Sequence, residues 1–227
     1  MKKNIKIEVV FGIIAALAFI IGGSAWVSNR KPRTVLQYTA SFIGIGHPEA
    51  DAASKVVFLG DSITAFEDWN VLFGVSYVFN AGFSGNTTDD VLARLDPVIA
   101  PKPSKIFLMI GINDLLRGKD VSYVEANYKV ILDKIRGQSP NTTIYVQSML
   151  PANNDILKSD TLDNRKIVAL NGKLKSMADG KKIIFVDLYP SFCAPDDKMN
   201  AAYTSDGLHL NSRGYAIWKD LVFQYVK

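Results

Sequence analysis

The chain has very few of the residues that build disulfides and metal clusters. A single cysteine, Cys193, occurs among its 227 residues, which excludes an intrachain disulfide and a cysteine-based zinc site. The segment around Cys193 offers no basic residue to activate the thiol, so we expect a structural role for it. Only two histidines are present, His47 and His209, and they limit the choice of a histidine base.

The chain also lacks a basic folded domain, although its formal net charge is +4. Residues 1–33 hold six basic residues and one acidic residue, so the other residues hold 20 basic and 21 acidic ones. Because the excess positive charge belongs to the N-terminal segment, nothing in the remainder favours binding to nucleic acid. We therefore expect no nucleic-acid partner.

The longest apolar run lies near the N-terminus. Residues 9–27 contain no charge and have the length of a helix that crosses a bilayer. We predict an N-terminal transmembrane helix that anchors the chain over residues 1–28, followed by a stalk over residues 29–54. A cleavable signal peptide is the alternative, because Gly-Ser-Ala at residues 23–25 resembles a cleavage site. The lysines before the apolar run favour a cytoplasmic N-terminus and a periplasmic or extracellular domain over residues 55–227.

Short apolar runs alternate with helical patterns in the predicted domain. This alternation predicts a parallel sheet with helices on both faces, because strands covered on both sides read as continuous apolar runs. The predicted strands are residues 55–59, 76–79, 105–110, 143–148 and 182–186. The predicted helices are residues 88–99, 121–138, 161–178 and 212–225.

Small and polar residues follow the first three predicted strands. They are Gly-Asp-Ser at residues 60–62, Asn-Ala-Gly-Phe-Ser-Gly-Asn at residues 80–86 and Gly-Ile-Asn-Asp at residues 111–114. In an open α/β sheet the ligand site lies outside the carboxyl ends of the strands, so these segments are expected to meet at one edge. Such residues are also common in ordinary turns, and that interpretation remains open for each segment.

Ser62 is the candidate nucleophile, and His209 is the candidate base. His47 falls in the predicted stalk, whereas His209 follows Asp206 by three residues, close enough for the carboxylate to bind the imidazole Nδ1–H. The alternative is a surface histidine beside turn residues. Ser84 is the weaker nucleophile, because Asn86 breaks the Gly-x-Ser-x-Gly pattern of a nucleophile elbow.

An acyl-transfer site also needs donors for the negative charge that develops on the substrate oxygen. The backbone N–H groups of Ser62 and Gly85 and the side-chain amide of Asn113 are the candidates for this oxyanion hole. The alternatives are a turn glycine at Gly85 and an Asx turn at Asn113.

Four motifs occur in order along the domain: "GDSIT", "AGFSGNTT", "GIND" and "DGLHLN". Together they resemble the four blocks of the SGNH (GDSL) hydrolase family, with its letters at Ser62, Gly85, Asn113 and His209. Further short segments, such as "LARL", resemble its thioesterase/lysophospholipase-type members, and an acetylesterase-type member is the other possibility. The resemblance implies a three-layer α/β/α, flavodoxin-like fold with a five-stranded parallel sheet and ester hydrolysis without metal or cofactor. It also implies that Asp206 orients His209.

The sequence thus predicts a serine esterase that cleaves acyl esters, acetyl esters among them, through an acyl-enzyme. The substrate would be a small-molecule, glycan or lipid ester. An O-acyltransferase acting on envelope glycans and a non-catalytic glycan- or lipid-binding module are the alternatives. Asp61, Phe83 and Trp69 are the predicted substrate contacts, and burial in the core is the alternative for the aromatic residues.

Overall fold

In the computed structural model of the chain, residues 56–158 and 161–227 are described. Five parallel strands form a single sheet in the order β2-β1-β3-β4-β5. The strands are β1 (Val56–Gly60), β2 (Val78–Gly82), β3 (Lys105–Met109), β4 (Thr143–Gln147) and β5 (Ile183–Val186). The order reverses between β1 and β3, and that reversal is where an open α/β sheet leaves a crevice for a ligand.

Helices cover both faces of the sheet. They are α1 (Ser62–Ala65), α2 (Trp69–Phe73), α3 (Thr88–Ala93), α4 (Leu95–Ile99), α5 (Ile112–Leu116), α6 (Val121–Gln138), α7 (Asn154–Leu157), α8 (Asn164–Ser176), α9 (Tyr189–Phe192) and α10 (Ser212–Val226). The helices α3, α4 and α8 pack against α6, and α2 packs against α10. Every residue of β1 is buried between the two helix layers. The predicted three-layer α/β fold with a five-stranded parallel sheet is therefore confirmed.

The predicted helix over residues 88–99 is wrong, because the structure has two helices there. The first, α3, ends at Ala93, and Arg94 leaves the helical conformation with φ −112° and ψ 12° before α4 begins. Pro97 explains the break: its ring has no N–H to donate and would clash with the carbonyl of residue 93 in a continuous helix. The break directs the Arg94 side chain toward the carboxyl end of the sheet, where it contacts the Gly60 carbonyl.

The second strand extends further than predicted, to Gly82 instead of residue 79. Asn80 makes this possible, since its side-chain amide donates to the carbonyls of Thr64 and Glu67 at 3.1 and 2.9 Å. Its Oδ1 accepts from the N–H of Gly82 at 2.9 Å. The polar side chain is satisfied by the chain that follows α1, so β2 is fastened to the segment that carries Ser62.

The structure corrects the predicted substrate contact at Trp69, whose side chain belongs to the core. Trp69 is 1% exposed and its ring stacks on Phe58 with centroids 4.2 Å apart. Its indole N–H donates to the Thr64 carbonyl at 3.0 Å. An edge contact with Trp218 at 4.9 Å joins α2 to the C-terminal helix. A ring enclosed on these sides supports α1 from beneath and does not face a substrate.

The predicted membrane anchor and stalk lie outside the described residues. Among residues 56–158 and 161–227, no helix combines the length and apolar character that a membrane crossing requires. The anchor, the alternative signal peptide and the orientation of the domain stay predictions.

Candidate active site

Ser62 is the first residue of α1 and follows directly after β1. Asp61 caps this helix, because its Oδ1 accepts a hydrogen bond from the Ile63 N–H at 3.0 Å. The N–H of Ser62 belongs to the first turn and has no acceptor within the helix. The turn therefore presents, at the same residue, a hydroxyl and a backbone N–H that has no acceptor within the helix.

The helix α1 lies so close to the sheet that two strand ends require glycine. A Cβ on Gly60 would stand 2.3 Å from Thr64 Oγ1 on α1 and 2.4 Å from the carbonyl oxygen of Met109 on β3, and a Cβ on Gly82 would stand 2.4 Å from the backbone nitrogen of Ala65 on α1. Contacts this short exclude any side chain at either position. The two glycines fix how closely Ser62 approaches the ends of β1, β2 and β3.

The structure brings the predicted serine, histidine and aspartate together. The distance from Ser62 Oγ to His209 Nε2 is 2.8 Å, and the distance from His209 Nδ1 to Asp206 Oδ2 is 2.6 Å. Because the Asp206 carboxylate only accepts hydrogen bonds, Nδ1 carries the proton in the neutral ring and Nε2 is free to accept from the Ser62 hydroxyl. A hydroxyl, an imidazole and a carboxylate in this series form the arrangement that activates a serine.

The Asp206 carboxylate is stabilised in its charged form. Partial burial opposes ionisation, but the hydrogen bond and the charge of His209 and the backbone N–H groups of Leu208 and His209 outweigh it. Those N–H groups donate to Oδ1 at 2.9 and 2.7 Å. The balance holds the pKa of Asp206 well below its usual range. Asp206 is therefore ionised at neutral pH and able to stabilise an imidazolium at His209.

A second contact connects the C-terminal segment to α1, the helix that begins with Ser62. The buried Tyr215 on α10 donates its hydroxyl to the Ile63 carbonyl at 2.7 Å. Asn211, four residues earlier, caps α10 by accepting from the N–H groups of Arg213 and Gly214. His209 lies just before this cap, so the same helix that closes the core also sets the distance between the base and Ser62.

The candidate oxyanion donors lie on the adjacent loops. Gly85 has φ +76°, a conformation that favours glycine, and its carbonyl accepts from Arg117 Nη2 at 2.8 Å. Asn113 lies on α5 after β3, and its Nδ2 donates to the carbonyl of Asn86 at 2.9 Å. The amide of Asn113 is therefore connected to the loop that holds Gly85, while Ser62 follows the neighbouring strand.

Asp114 forms a buried pair of hydrogen bonds, called the Asp114 brace below, that was not predicted from the sequence. Its carboxylate accepts from the Thr88 N–H at 2.9 Å and from the Thr88 hydroxyl at 2.6 Å. Desolvation raises the pKa of Asp114, and the two bonds from Thr88 oppose that rise. The Asp114 brace fixes the start of α3 to α5, so the loop before α3 and the amide of Asn113 move together. The "GIND" motif contained this residue, but only the fold shows which partner it meets.

The two other predicted substrate contacts, Asp61 and Phe83, differ in their surroundings. Asp61 is 1% exposed and caps α1, so the structure assigns it to the support of Ser62 and corrects the predicted substrate contact. Phe83 is half-buried, and the Arg94 guanidinium lies over its ring at 4.5 Å. Phe66, in contrast, is 58% exposed, and its ring lies 5.0 Å from that of His209. Phe66 is thus the aromatic residue that borders the base.

Comparison with known proteins identifies a family that covers most of the described residues. The model of the GDSL-like lipase/acylhydrolase family matches residues 58–217, which include the serine, the aspartate, the histidine and all three candidate donors. The chain belongs to this family. It is therefore an enzyme that hydrolyses ester bonds, and the prediction of an SGNH/GDSL hydrolase is confirmed.

Individual proteins and solved structures are also similar to this chain over most of its length. The chain is 26% identical over 175 residues to the alpha1 subunit of platelet-activating factor acetylhydrolase IB from Pongo abelii, which covers 73% of this chain and 72% of that protein. The solved structure of a proposed platelet activating factor from Streptococcus pneumonia has a TM-score of 0.73 and 27% identity, and covers 83% of this chain and 88% of that one. The solved structure of a GDSL-like lipase from Bacteroides thetaiotaomicron has a TM-score of 0.69 and 25% identity. The match covers 84% of this chain and 96% of that one.

The burial of Asp61 predicts an unusual dependence of stability on pH. Desolvation raises the pKa of Asp61 from 3.8 to about 7, against the hydrogen bond from Ile63 and the charge of His209. Between these values the folded protein binds a proton that the unfolded chain releases, so this group destabilises the fold as the pH rises. Asp61→Asn keeps the Oδ1 acceptor but has no charge to desolvate. We expect its free energy of unfolding to rise relative to that of the wild type as the pH increases from 4 to 7, by up to about 4 kcal/mol over this range.

Urea denaturation of both proteins at pH 4, 5.5 and 7 measures this difference. Comparing the two proteins at each pH cancels the opposite contribution of Asp206, whose lowered pKa adds stability as the pH rises from acidic values. A constant difference across this range would contradict the assigned environment of Asp61.

Proposed function

We propose that the chain is a serine esterase that cleaves acyl esters, and acetyl esters in particular, through an acyl-enzyme at Ser62. The observation that carries the proposal is the continuous hydrogen-bond series from Ser62 Oγ through His209 to Asp206, at 2.8 and 2.6 Å. Deprotonation of a serine requires a base within this range, and the base requires a partner that fixes its tautomer.

In the first half of the proposed reaction, Ser62 Oγ attacks the ester carbonyl while its proton passes to His209 Nε2. A bond forms between Oγ and the carbonyl carbon, and the electron pair of the C=O bond moves to the oxygen. When this tetrahedral intermediate collapses, the bond to the alcohol oxygen breaks. His209 gives its proton to the departing alcohol, and the acyl group stays on Ser62.

In the second half, water takes the position of the alcohol. His209 removes a proton from the water as its oxygen attacks the acyl carbon, and the same proton then returns to Ser62 Oγ as the ester bond breaks. Asp206 remains ionised throughout and stabilises the imidazolium in both halves, consistent with the lowered pKa of its carboxyl group.

The backbone N–H groups of Ser62 and Gly85 and the amide of Asn113 are proposed to stabilise the oxyanion. Support comes from their positions in the segments that follow β1, β2 and β3, around the point where the strand order reverses. The bond from Asn113 to the Asn86 carbonyl leaves the second hydrogen of the amide for the substrate.

The preference for a small acyl group is supported by the relatives that are named as acetylhydrolases. Phe66 is proposed to contact the other part of the ester, its alcohol group. Because His209 protonates the departing alcohol, a ring that borders His209 lies on the alcohol side of the ester. The exposure of Phe66 and its 5.0 Å ring distance from His209 therefore favour a contact with the alcohol group.

Replacing the proposed nucleophile tests the reaction. We expect Ser62→Ala to reduce kcat for p-nitrophenyl acetate by at least about 10⁴-fold, because the remaining donors and substrate binding alone give only residual catalysis. Circular dichroism checks that the variant is folded. Ser84→Ala is the matched control on the adjacent loop and is expected to retain most of the activity. Comparable losses in both variants, or full activity in Ser62→Ala, would exclude Ser62 as the nucleophile.

The Phe66 contact is tested with two esters that form the same acetyl-enzyme. We expect Phe66→Ala to lower kcat/KM for p-nitrophenyl acetate about fivefold more than for methyl acetate, since about 1 kcal/mol of apolar contact with the aromatic alcohol is lost. Val71→Ala, which removes an apolar side chain that is 63% exposed on α2, is the control. Equal changes for the two esters would contradict a contact on the alcohol side.

A further inference from the structure

Arg94 is a largely buried cation that the proposed chemistry does not use. It lies at the break between α3 and α4, and burial lowers the pKa of its guanidinium to about 10, against the nearby carboxylates of Asp90 and Asp61. The side chain is therefore charged at neutral pH. Within the described residues it forms no ion pair at contact distance, and its Nη1 is buried without a hydrogen-bond partner. A buried charge left without a paired anion costs stability.

The contacts of the guanidinium are directed at the loops around Ser62. Its Nη2 donates to the carbonyl of Gly60 at 3.0 Å, and its Nε donates to Asn86 Oδ1 at 2.6 Å. Its plane lies over the ring of Phe83 at 4.5 Å. A single rigid group thus connects the end of β1 with both ends of the loop over residues 83–86.

Each contact reaches a segment that holds one of the proposed oxyanion donors. Gly60 precedes Ser62 by two residues, and its carbonyl also accepts from the N–H of Phe83 at 3.1 Å. Asn86 follows Gly85 directly, and its carbonyl accepts from the amide of Asn113 at 2.9 Å. The guanidinium therefore joins, through one or two bonds each, the three segments that carry the donors.

We propose that Arg94 is a positioning residue for the oxyanion hole. Its fork of donors holds the loop over residues 83–86 at a fixed distance from the end of β1, so that the N–H of Gly85 and the amide of Asn113 converge with the N–H of Ser62. Oxyanion stabilisation depends on donors that are in place before charge develops, so a small displacement of the loop lowers the rate of chemistry more than the binding of substrate. The inference rests on the proposed function, because it assigns a role toward those donors.

The test compares Arg94→Lys, Arg94→Met and the control Arg165→Met, whose native side chain is 92% exposed and pairs with Asp163. We expect both Arg94 variants to lower kcat for p-nitrophenyl acetate by about 10- to 100-fold, less than the loss of a complete donor. KM is expected to change less than about threefold, because substrate binding does not depend on the donors alone. Lysine keeps the charge but lacks the planar fork, so it does not rescue the rate.

A role in stability alone gives a different result. In that case the thermal midpoint falls, but kcat per folded molecule, with the folded fraction taken from near-ultraviolet circular dichroism, stays at the wild-type value. The pH profile of kcat provides a second readout. It is expected to keep its midpoints in the Arg94 variants, because the contacts among Ser62, His209 and Asp206 are unchanged.

Asn86→Ala tests the same connection from the other side and does not depend on the folding of Arg94 variants. It removes the Oδ1 acceptor while leaving the carbonyl that binds Asn113. We expect kcat to fall, though less than in Arg94→Met, because the contacts of Arg94 with Gly60 and Phe83 remain. The double variant is expected to lose little more than Arg94→Met, because Asn86 Oδ1 acts through its bond to Arg94. Additive losses, or wild-type kcat per folded molecule in Asn86→Ala and Arg94→Lys, would overturn the inference.

Failure of the proposed function would be visible separately. If Ser62→Ala retained activity, the nucleophile assignment would fail whatever the Arg94 variants did. If Ser62→Ala were inactive and the Arg94 variants kept wild-type kcat, only the positioning role would be lost.

Discussion

The hydrogen bond between Ser62 and His209 is the contact on which the proposed function of this fold depends. It joins residues that lie 147 positions apart in the chain, so no local structure can form it. The parallel sheet positions Ser62 at the carboxyl end of β1, and α10 positions His209, which lies two residues before the helix cap Asn211. The bond from the Tyr215 hydroxyl to the Ile63 carbonyl couples α10 to α1 through the core.

Close packing around α1 limits the freedom of Ser62, the proposed nucleophile. Glycine at residues 60 and 82 lets the helix approach the strand ends to distances that no side chain allows, and Trp69 supports it from beneath. The buried carboxylate of Asp61 caps the same helix although burial raises its pKa to about 7, so the cap itself has an energetic cost at neutral pH. The close packing holds Ser62 in one position. The buried carboxylate of Asp61, which helps to hold it there, lowers the stability of the folded protein at neutral pH.

The loops beyond β2 and β3 depend on polar contacts that are buried at Asp114 and partly buried at Arg94. Asp114 fixes α3 to α5 through Thr88, and Arg94 connects the loop over residues 83–86 to the end of β1. These contacts surround the proposed oxyanion donors and do not overlap with the contacts that hold His209. The fold thus positions the proposed base and the proposed donors through two separate sets of hydrogen bonds that meet at Ser62.

Much of the fold and of the site was predictable from the sequence. The strands are apolar runs of ordinary length. Ser62, Gly85 and Asn113 were predicted from small and polar residues after strands, His209 was predicted from the presence of only two histidines and from its spacing to Asp206, and the family motifs contain all four. Side-chain direction was not predictable: Trp69 and Phe66 lie three residues apart, yet one is buried and the other is exposed. The role of Arg94 depends on a helix break at Pro97 and on partners in two other segments, so no local pattern indicates it.

Inactivation by a fluorophosphonate tests the central claim most directly, because the reagent reacts with an activated serine and leaves a stable label. The account predicts one label per chain on Ser62, found by peptide mass spectrometry, with esterase activity lost in proportion to labelling. Complete inactivation with the label on another residue, or full activity with Ser62 completely labelled, would contradict it.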